Sequence, residues 1–219
     1  KEQEEEEEEE VEEQERILQE PPLPHMTPRP KHPYDMVEYK DKFEQLDQRT
    51  FDVKCKELYD TIYADNAPCN LERTIIALGD TEVEFSKWGP DSSRSAPADK
   101  TAYTRDCISR KALPPNPFGN SSTRIFRHQV LHSAADFESF ECRTTSASVD
   151  APFGQDFVCE DLVKFVPTHD GNTKVTYLAR VVFYKKPWML EGRIRAAALD
   201  GMKMNAVKWF DTAQAYLRG

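Results

Sequence analysis

Five histidines and five cysteines are the side chains of this 219-residue chain best suited to hold a metal or to act as nucleophiles. His25 and His32 sit in a proline-rich stretch and His169 in the turn His169-Asp170-Gly171-Asn172. His128 and His132 stand four apart, a spacing that puts both on one face of a strand or a helix, but no Cys or carboxylate joins them at a familiar metal spacing. No metal site and no cofactor is expected. Cys55, Cys69, Cys107, Cys142 and Cys159 are odd in number and form no CxxC pair, so they read as reduced thiols of a cytosolic protein, several of them buried in strand-like runs. GxSxG, HExxH, P-loop and GxGxxG patterns do not occur, and no catalytic residue is assigned. A composite site assembled from distant residues is invisible to such a scan.

The polar group that stands out is Gln129. In Thr123 to His132, Ile125 and Leu131 mark the odd positions as inward-facing, so Gln129 points into the interior and His128 and His132 point away from it. An unsatisfied buried amide costs on the order of 1 to 3 kcal/mol. Neighbouring backbone would satisfy it; so would the hydroxyl of a ligand, directly or through water. By the same alternation Arg127 and Asp161 are inward, and they are the acid and base candidates if the interior were a reaction chamber.

The elements that position these groups end in one long unit, Thr173 to Leu217. Val175, Tyr177, Ala179, Val181 and Phe183 alternate with polar residues, the period of a half-buried strand. After Lys185-Lys186-Pro187 the period becomes about 3.6, with Leu190, Ile194, Ala198, Met202, Ala206, Trp209, Ala213 and Leu217 on one helical face. Strand and helix each come to roughly 40 Å, so the helix is expected to lie lengthwise across a sheet. Its inward face is bulky at the ends (Trp188 and Ile194, Trp209 and Leu217) and small in the middle (Ala197, Ala198, Gly201). Small residues either leave a hollow or let helix and sheet approach closely, and close packing of interiors favours the second from pattern alone.

Ahead of this unit, Tyr34 to Gln48 reads as a short helix on the domain edge, and two helices, Cys55 to Ala64 and Leu71 to Leu78, precede the sheet. Strands follow over Thr81–Trp88, Lys100–Leu113, Thr123–His132, Phe137–Val149 and Asp156–Val166. Pro114 to Ser122, with three prolines, Gly119 and Phe118 at its crest, joins two of them; Phe118 suits contact with a membrane, a cover over an opening, or burial in the core. The fold class is α+β, a helix across a curved antiparallel sheet.

Composition sets further bounds. The net charge of −10 resides entirely in residues 1–20, where twelve Glu face Lys1 and Arg16; the remainder carries 27 basic and 27 acidic side chains (29 less two, 39 less twelve). A neutral body argues against a nucleic-acid partner, which needs a basic excess. Residues 1–20 are expected to be an acidic low-complexity spacer, 21–50 a Pro-rich linker with a short flanking segment, and 51–219 the domain proper. No apolar run approaches the ~20 residues of a membrane span, and no signal peptide is evident. The chain opens on Lys1 rather than Met, as a piece of a longer protein would.

Four motifs then occur in order. Asn116-Pro117-Phe118-Gly119-Asn120-Ser121-Ser122-Thr123 resembles the "NPxGPKST" loop of VASt domains, the StART-like modules of the Lam and Aster sterol transporters. Gly79-Asp80-Thr81-Glu82-Val83 through Lys87-Trp88 is similar to their first sheet strand, Asp150-Ala151-Pro152-Phe153-Gly154 to their "DVPYG" turn, and Lys185-Lys186-Pro187-Trp188 to the step before their last helix. The resemblance covers about Phe51 to Leu217. It implies a helix-grip fold enclosing an apolar cavity for one sterol, and it tips the small-residue question towards a hollow. Asn116, Pro117, Phe118 and Gly119 would be the lid, and Gln129, Phe157, Tyr177, Val181, Ile194, Ala198, Met202 and Trp209 the ligand-binding lining. Asn120-Ser121 replaces the family's usual Pro-Lys, removing a basic contact for lipid headgroups, and Arg110 replaces a common Tyr. The function implied is non-enzymatic transfer of a sterol or related lipid by a monomeric, cytoplasmic domain that meets membranes transiently, its parent protein at endoplasmic reticulum or other contact sites. The alternative is a module that senses lipid without transferring it.

Overall fold

A computed structural model describes residues 42–91, 100–113, 121–151, 153–185 and 189–218. Among these, strand β1 (Glu44–Phe51) is followed by a helical turn α1 (Cys55–Leu58), which continues as a π-helical turn over Tyr59–Tyr63, and by helix α2 (Leu71–Ala77). Strands β2 (Thr81–Phe85), β3 (Gly89–Pro90), β4 (Thr101–Ala112), β5 (Ser122–Ser133), β6 (Phe140–Ser148), β7 (Phe157–Pro167) and β8 (Thr173–Phe183) come next, and helix α3 (Glu191–Leu217) ends the chain. The strands form one antiparallel sheet in the order β1-β8-β7-β6-β5-β4-β2, with β3 also on β4. The helix-grip α+β architecture expected from the sequence is the one observed.

Residues 44–48, expected as part of a short helix, are instead the start of β1. Glu44 to Phe51 pairs with β8 from Ala179 to Thr173, with an irregularity between Gln45 and Asp47. The edge of β8 would otherwise expose a row of unpaired N–H and C=O groups, and covering it outweighs the helical preference of a Glu/Gln-rich segment. The sheet therefore begins ahead of Phe51. The expected helix over Cys55 to Ala64 divides into an α turn and a π turn, and Leu58 and Ile62 are both buried as its pattern requires.

One end of the domain is solid. Tyr63, Phe140, Phe165, Trp209 and Phe210 form the centre of the core with Phe51, Leu58 and Ile62. Phe140 stacks on Phe165 at 4.0 Å, and Tyr63 meets both rings edge-on at 5.7 and 5.6 Å. On α3 every fully buried side chain lies in the C-terminal part: Met202, Ala206, Trp209, Phe210 and Ala213. The N-terminal turns of the helix are half-buried at most. Helix packing is thus concentrated at one end.

The turn between β6 and β7 is fixed by charge and backbone. Arg124 donates from its backbone N, Nε and Nη2 to the Asp150 carboxylate at 3.0, 2.9 and 2.7 Å. The Gly154 N–H donates to the Ala151 carbonyl at 2.9 Å, and a Cβ on Gly154 would run into the Ser148 carbonyl oxygen. Gly201, by contrast, has open space where a Cβ would go. Gly154→Ala is therefore expected to lower the melting temperature by several degrees, whereas Gly201→Ala, relieving a glycine inside a helix, raises stability by up to about 1 kcal/mol; thermal and urea melts of the two variants check both signs.

Candidate functional site

Between the concave face of the sheet, α2 and the N-terminal half of α3 lies a cavity of about 420 Å3. That is within the range of small-molecule sites, roughly 300–1,000 Å3. Leu71 and Ile75 of α2, with Leu78 at its C-terminal cap, form one wall, and Ile194, Ala197, Ala198, Gly201, Met202 and Trp209 of α3 form the roof. The small residues at the middle of α3 thus stand over a hollow instead of drawing helix and sheet together. No bulky side chain descends from that part of the helix to fill the space.

Of the residues expected to line the site, Gln129, Phe157, Tyr177, Ile194, Ala198, Met202 and Trp209 come together around this cavity. Val181 does not. It is fully buried, and its carbonyl accepts a 2.9 Å hydrogen bond from Arg195 Nη1, where the first turns of α3 come down on β8. Asn116, Pro117, Phe118 and Gly119 of the expected lid, and residues 186–188, lie outside the described residues. At the base of that loop the Leu113 N–H donates to the Ser121 carbonyl at 2.9 Å. The α2 wall was not among the expected lining. Its signal is the apolar face Leu71, Ile75, Leu78, which periodicity finds but cannot assign to a cavity.

Sheet register brings the inward polar groups into one line. Arg105 is opposite Gln129, Gln129 opposite Thr144, and Thr144 opposite Asp161, a row across β4 to β7. Arg105 Nε donates to Gln129 Oε1 at 2.7 Å, and Gln129 Nε2 donates to Thr144 Oγ1 at 3.2 Å. Thr144 and Tyr177 both hydrogen-bond Asp161. Arg105 is held between Phe85 and Trp88, 5.0 and 4.3 Å from the ring centroids, while Trp88 Nε1 donates to the Tyr63 carbonyl at 2.7 Å. The row is thus wedged from outside the cavity by two aromatic rings.

Nearer the β6–β7 turn, Arg127 faces the cavity but is consumed by its neighbours. Its Nη1 donates to Ser109 Oγ at 2.6 Å and its Nη2 to Asp80 Oδ2 at 3.1 Å, and Ser109 donates to the same Asp80 oxygen at 2.7 Å. Asp80, the acid of the Gly79-Asp80-Thr81 motif, is buried and neutralised in place.

Burial pushes the Asp161 carboxyl up to about 7, against the opposing hydrogen bonds of Thr144 and Tyr177 and the charge of Arg127. It raises the Tyr177 hydroxyl well above its ordinary range, so Tyr177 remains an O–H donor. The cavity-facing Cys159 thiol is pushed up to about 12 by burial and presents a neutral S–H. His128 Nδ1 is 2.7 Å from Asp106 and His132 Nδ1 is 3.6 Å from Glu141, so each imidazole has a carboxylate of its own. Among the described residues no group of three or more His, Cys, Asp or Glu side chains is arranged to hold a metal. No helix among them is long and apolar enough to cross a membrane.

A curved antiparallel sheet gripping a terminal helix, with a hollow between them and a few inward polar groups, defines a StART-like ligand-binding domain. The family model VASt, "VAD1 Analog of StAR-related lipid transfer domain", matches residues 45–201, and the chain belongs to this family of lipid-binding domains. None of the curated proteins compared with it matches. Among solved structures, that of TTHA0849 from Thermus thermophilus is similar at 12% identity and a TM-score of 0.36, over 77% of this chain and 92% of that one.

A carboxyl whose folded-state pKa of about 7 lies above its ordinary 3.8 holds its proton more tightly in the folded protein. The stability it contributes is full below about pH 4 and is lost as pH rises to about 7. Asp161→Asn should therefore raise the melting temperature over wild type by several degrees at about pH 8 and by much less at about pH 4. Thermal melts of both proteins across this range provide the check; an offset independent of pH would contradict the assignment.

Proposed function

We propose that this domain is a non-enzymatic carrier that holds one sterol, or a closely related lipid, beneath α3 and moves it between membranes. The observation that supports this reading is the shape and polarity of the cavity: largely apolar walls from Leu71, Ile75, Ile194, Met202 and Trp209, with most of the polar side chains on the strand face opposite and Thr74 and Asn205 on the helices. A sterol is a rigid apolar body with one hydroxyl, and a largely pre-formed apolar pocket with a few placed polar groups suits it. Burial at about 25 cal/mol per Å2 replaces the burial lost on leaving the bilayer, so uptake and release stay near balance.

In this reading Gln129, Phe157, Tyr177, Ile194, Ala198, Met202 and Trp209 contact or support the ligand. Asn116, Pro117, Phe118 and Gly119 open and close the mouth at a membrane surface. The domain works as a monomer in the cytoplasm, with its parent protein at endoplasmic reticulum or other contact sites. A sensor that binds lipid without releasing it to a second membrane is the other reading, favoured by one feature: Asn120-Ser121 in the loop lacks the basic residue that would attract anionic headgroups.

Transfer of a fluorescent sterol between donor and acceptor liposomes by the 219-residue chain separates these. A carrier accelerates transfer by about tenfold or more, and Ala198→Trp, filling the hollow from the roof, returns the rate to background while circular dichroism stays native. Binding without transfer favours the sensor. Neither binding nor transfer sinks the sterol reading.

A further inference from the structure

The sequence pattern alone leaves Gln129 open as the group that meets a ligand, but in the structure its carbonyl and its amide are each engaged by a neighbouring strand. It is 1% exposed, its Oε1 accepts from Arg105 and its Nε2 donates to Thr144. Each hydrogen bond along the row is directed the same way. Arg105 is donor-only, so Gln129 offers its carbonyl to it and its amide to Thr144. Thr144 Oγ1, accepting from Gln129, turns its own proton to Asp161, and Tyr177 donates to Asp161 from the other side.

The row therefore ends in a carboxylate that lines the cavity and receives two donors from the protein. An ionised carboxylate has about four acceptor positions, so it retains capacity for a donor on the cavity side. The other polar groups on the wall are less suited to that role: Lys111 is donor-only and cannot accept a hydroxyl proton, and Asn205 of α3 offers a neutral amide. Arg127 is closed into a triangle with Ser109 and Asp80. Ser146 and Ser148 lie one and two inward positions nearer the β6–β7 turn and carry neutral hydroxyls, which bind a donor more weakly than a carboxylate does.

We propose that Asp161 takes the hydroxyl of the bound lipid, so that the cavity selects lipids ending in a hydrogen-bond donor over those ending in a ketone, an ether or a carboxylate. A ketone or ether offers no proton to the carboxylate, and a second carboxylate beside it is repelled. Gln129, Thr144 and Arg105 are positioning residues that aim the acceptor. This deepens the reading of the hollow as a lipid site and depends on it.

The test is equilibrium binding to the 219-residue chain at about pH 8, with a 3-hydroxysterol, its 3-ketone and its 3-methyl ether as one set and hexadecanol and hexadecanoate as another. Wild type is expected to prefer the hydroxyl member of a bound set by about tenfold or more. Asp161→Leu removes that preference. Asp161→Asn presents an amide donor and shifts the sterol preference towards the ketone, an effect that loss of packing alone does not produce, and it keeps the test open if the Leu variant does not fold. Binding of hexadecanol over hexadecanoate with no sterol bound would reject the sterol reading and leave the Asp161 assignment standing. Equal affinity for hydroxyl and ketone in wild type, an unchanged preference in Asp161→Asn, or no hydroxyl preference in either set overturns it.

Discussion

Everything about this domain depends on α3 being held at one end. Trp209 and Phe210 are buried in an aromatic cluster with Tyr63, Phe140 and Phe165, and Ala206 and Ala213 let the helix settle close to the sheet there. Aromatic side chains bring the largest burial and geometry-specific contacts of any residues, so the C-terminal half of the helix is the part with the strongest hold. Past Met202 towards the N-terminus the inward face shrinks to Gly201, Ala198 and Ala197, and the helix crosses a space that its side chains do not fill. A hollow forfeits dispersion contacts along its lining. The aromatic end offsets that loss and fixes the roof without filling the room beneath it.

The second constraint is electrical. Charged side chains on the concave face of a sheet are costly unless each is paired. Arg127 is matched by Asp80 and Ser109; Arg105 is met by Gln129, the Tyr63 carbonyl and two aromatic faces, with its Nη2 left without a hydrogen-bond partner. Asp161 faces the cavity with only neutral hydroxyls as hydrogen-bond partners, which is why burial dominates its behaviour. The cavity is thus mostly apolar on its helical side and carries most of its polar groups on the sheet.

Much of this was legible in the chain itself. Period-two alternation located the long strands and turned Gln129 inward, and the change to a 3.6 period located α3 and its small middle. Motifs carried the rest of the family assignment, and two have a physical basis here: in the first-strand motif Asp80 anchors Arg127 and Trp88 caps Arg105, and in the turn motif Asp150 clamps Arg124. What escaped depends on distant partners. Glu44 to Gln48 looks helical until β8 offers it an edge, and Val181 shares the alternation of Tyr177 yet lies where α3 has already closed on the sheet. Gln129 could be placed inward but not shown to be occupied, because its partners Arg105 and Thr144 come from strands 24 and 15 residues away.

If the hollow under α3 receives one lipid, that lipid should travel with the chain. Native mass spectrometry of the 219-residue chain after incubation with liposomes of sterol and phospholipid tests this without a label or a transfer step. The account predicts a single sterol adduct per chain, lost in Ala198→Trp. A chain that emerges at its bare mass, or that carries the same adducts when the cavity is filled, would contradict it.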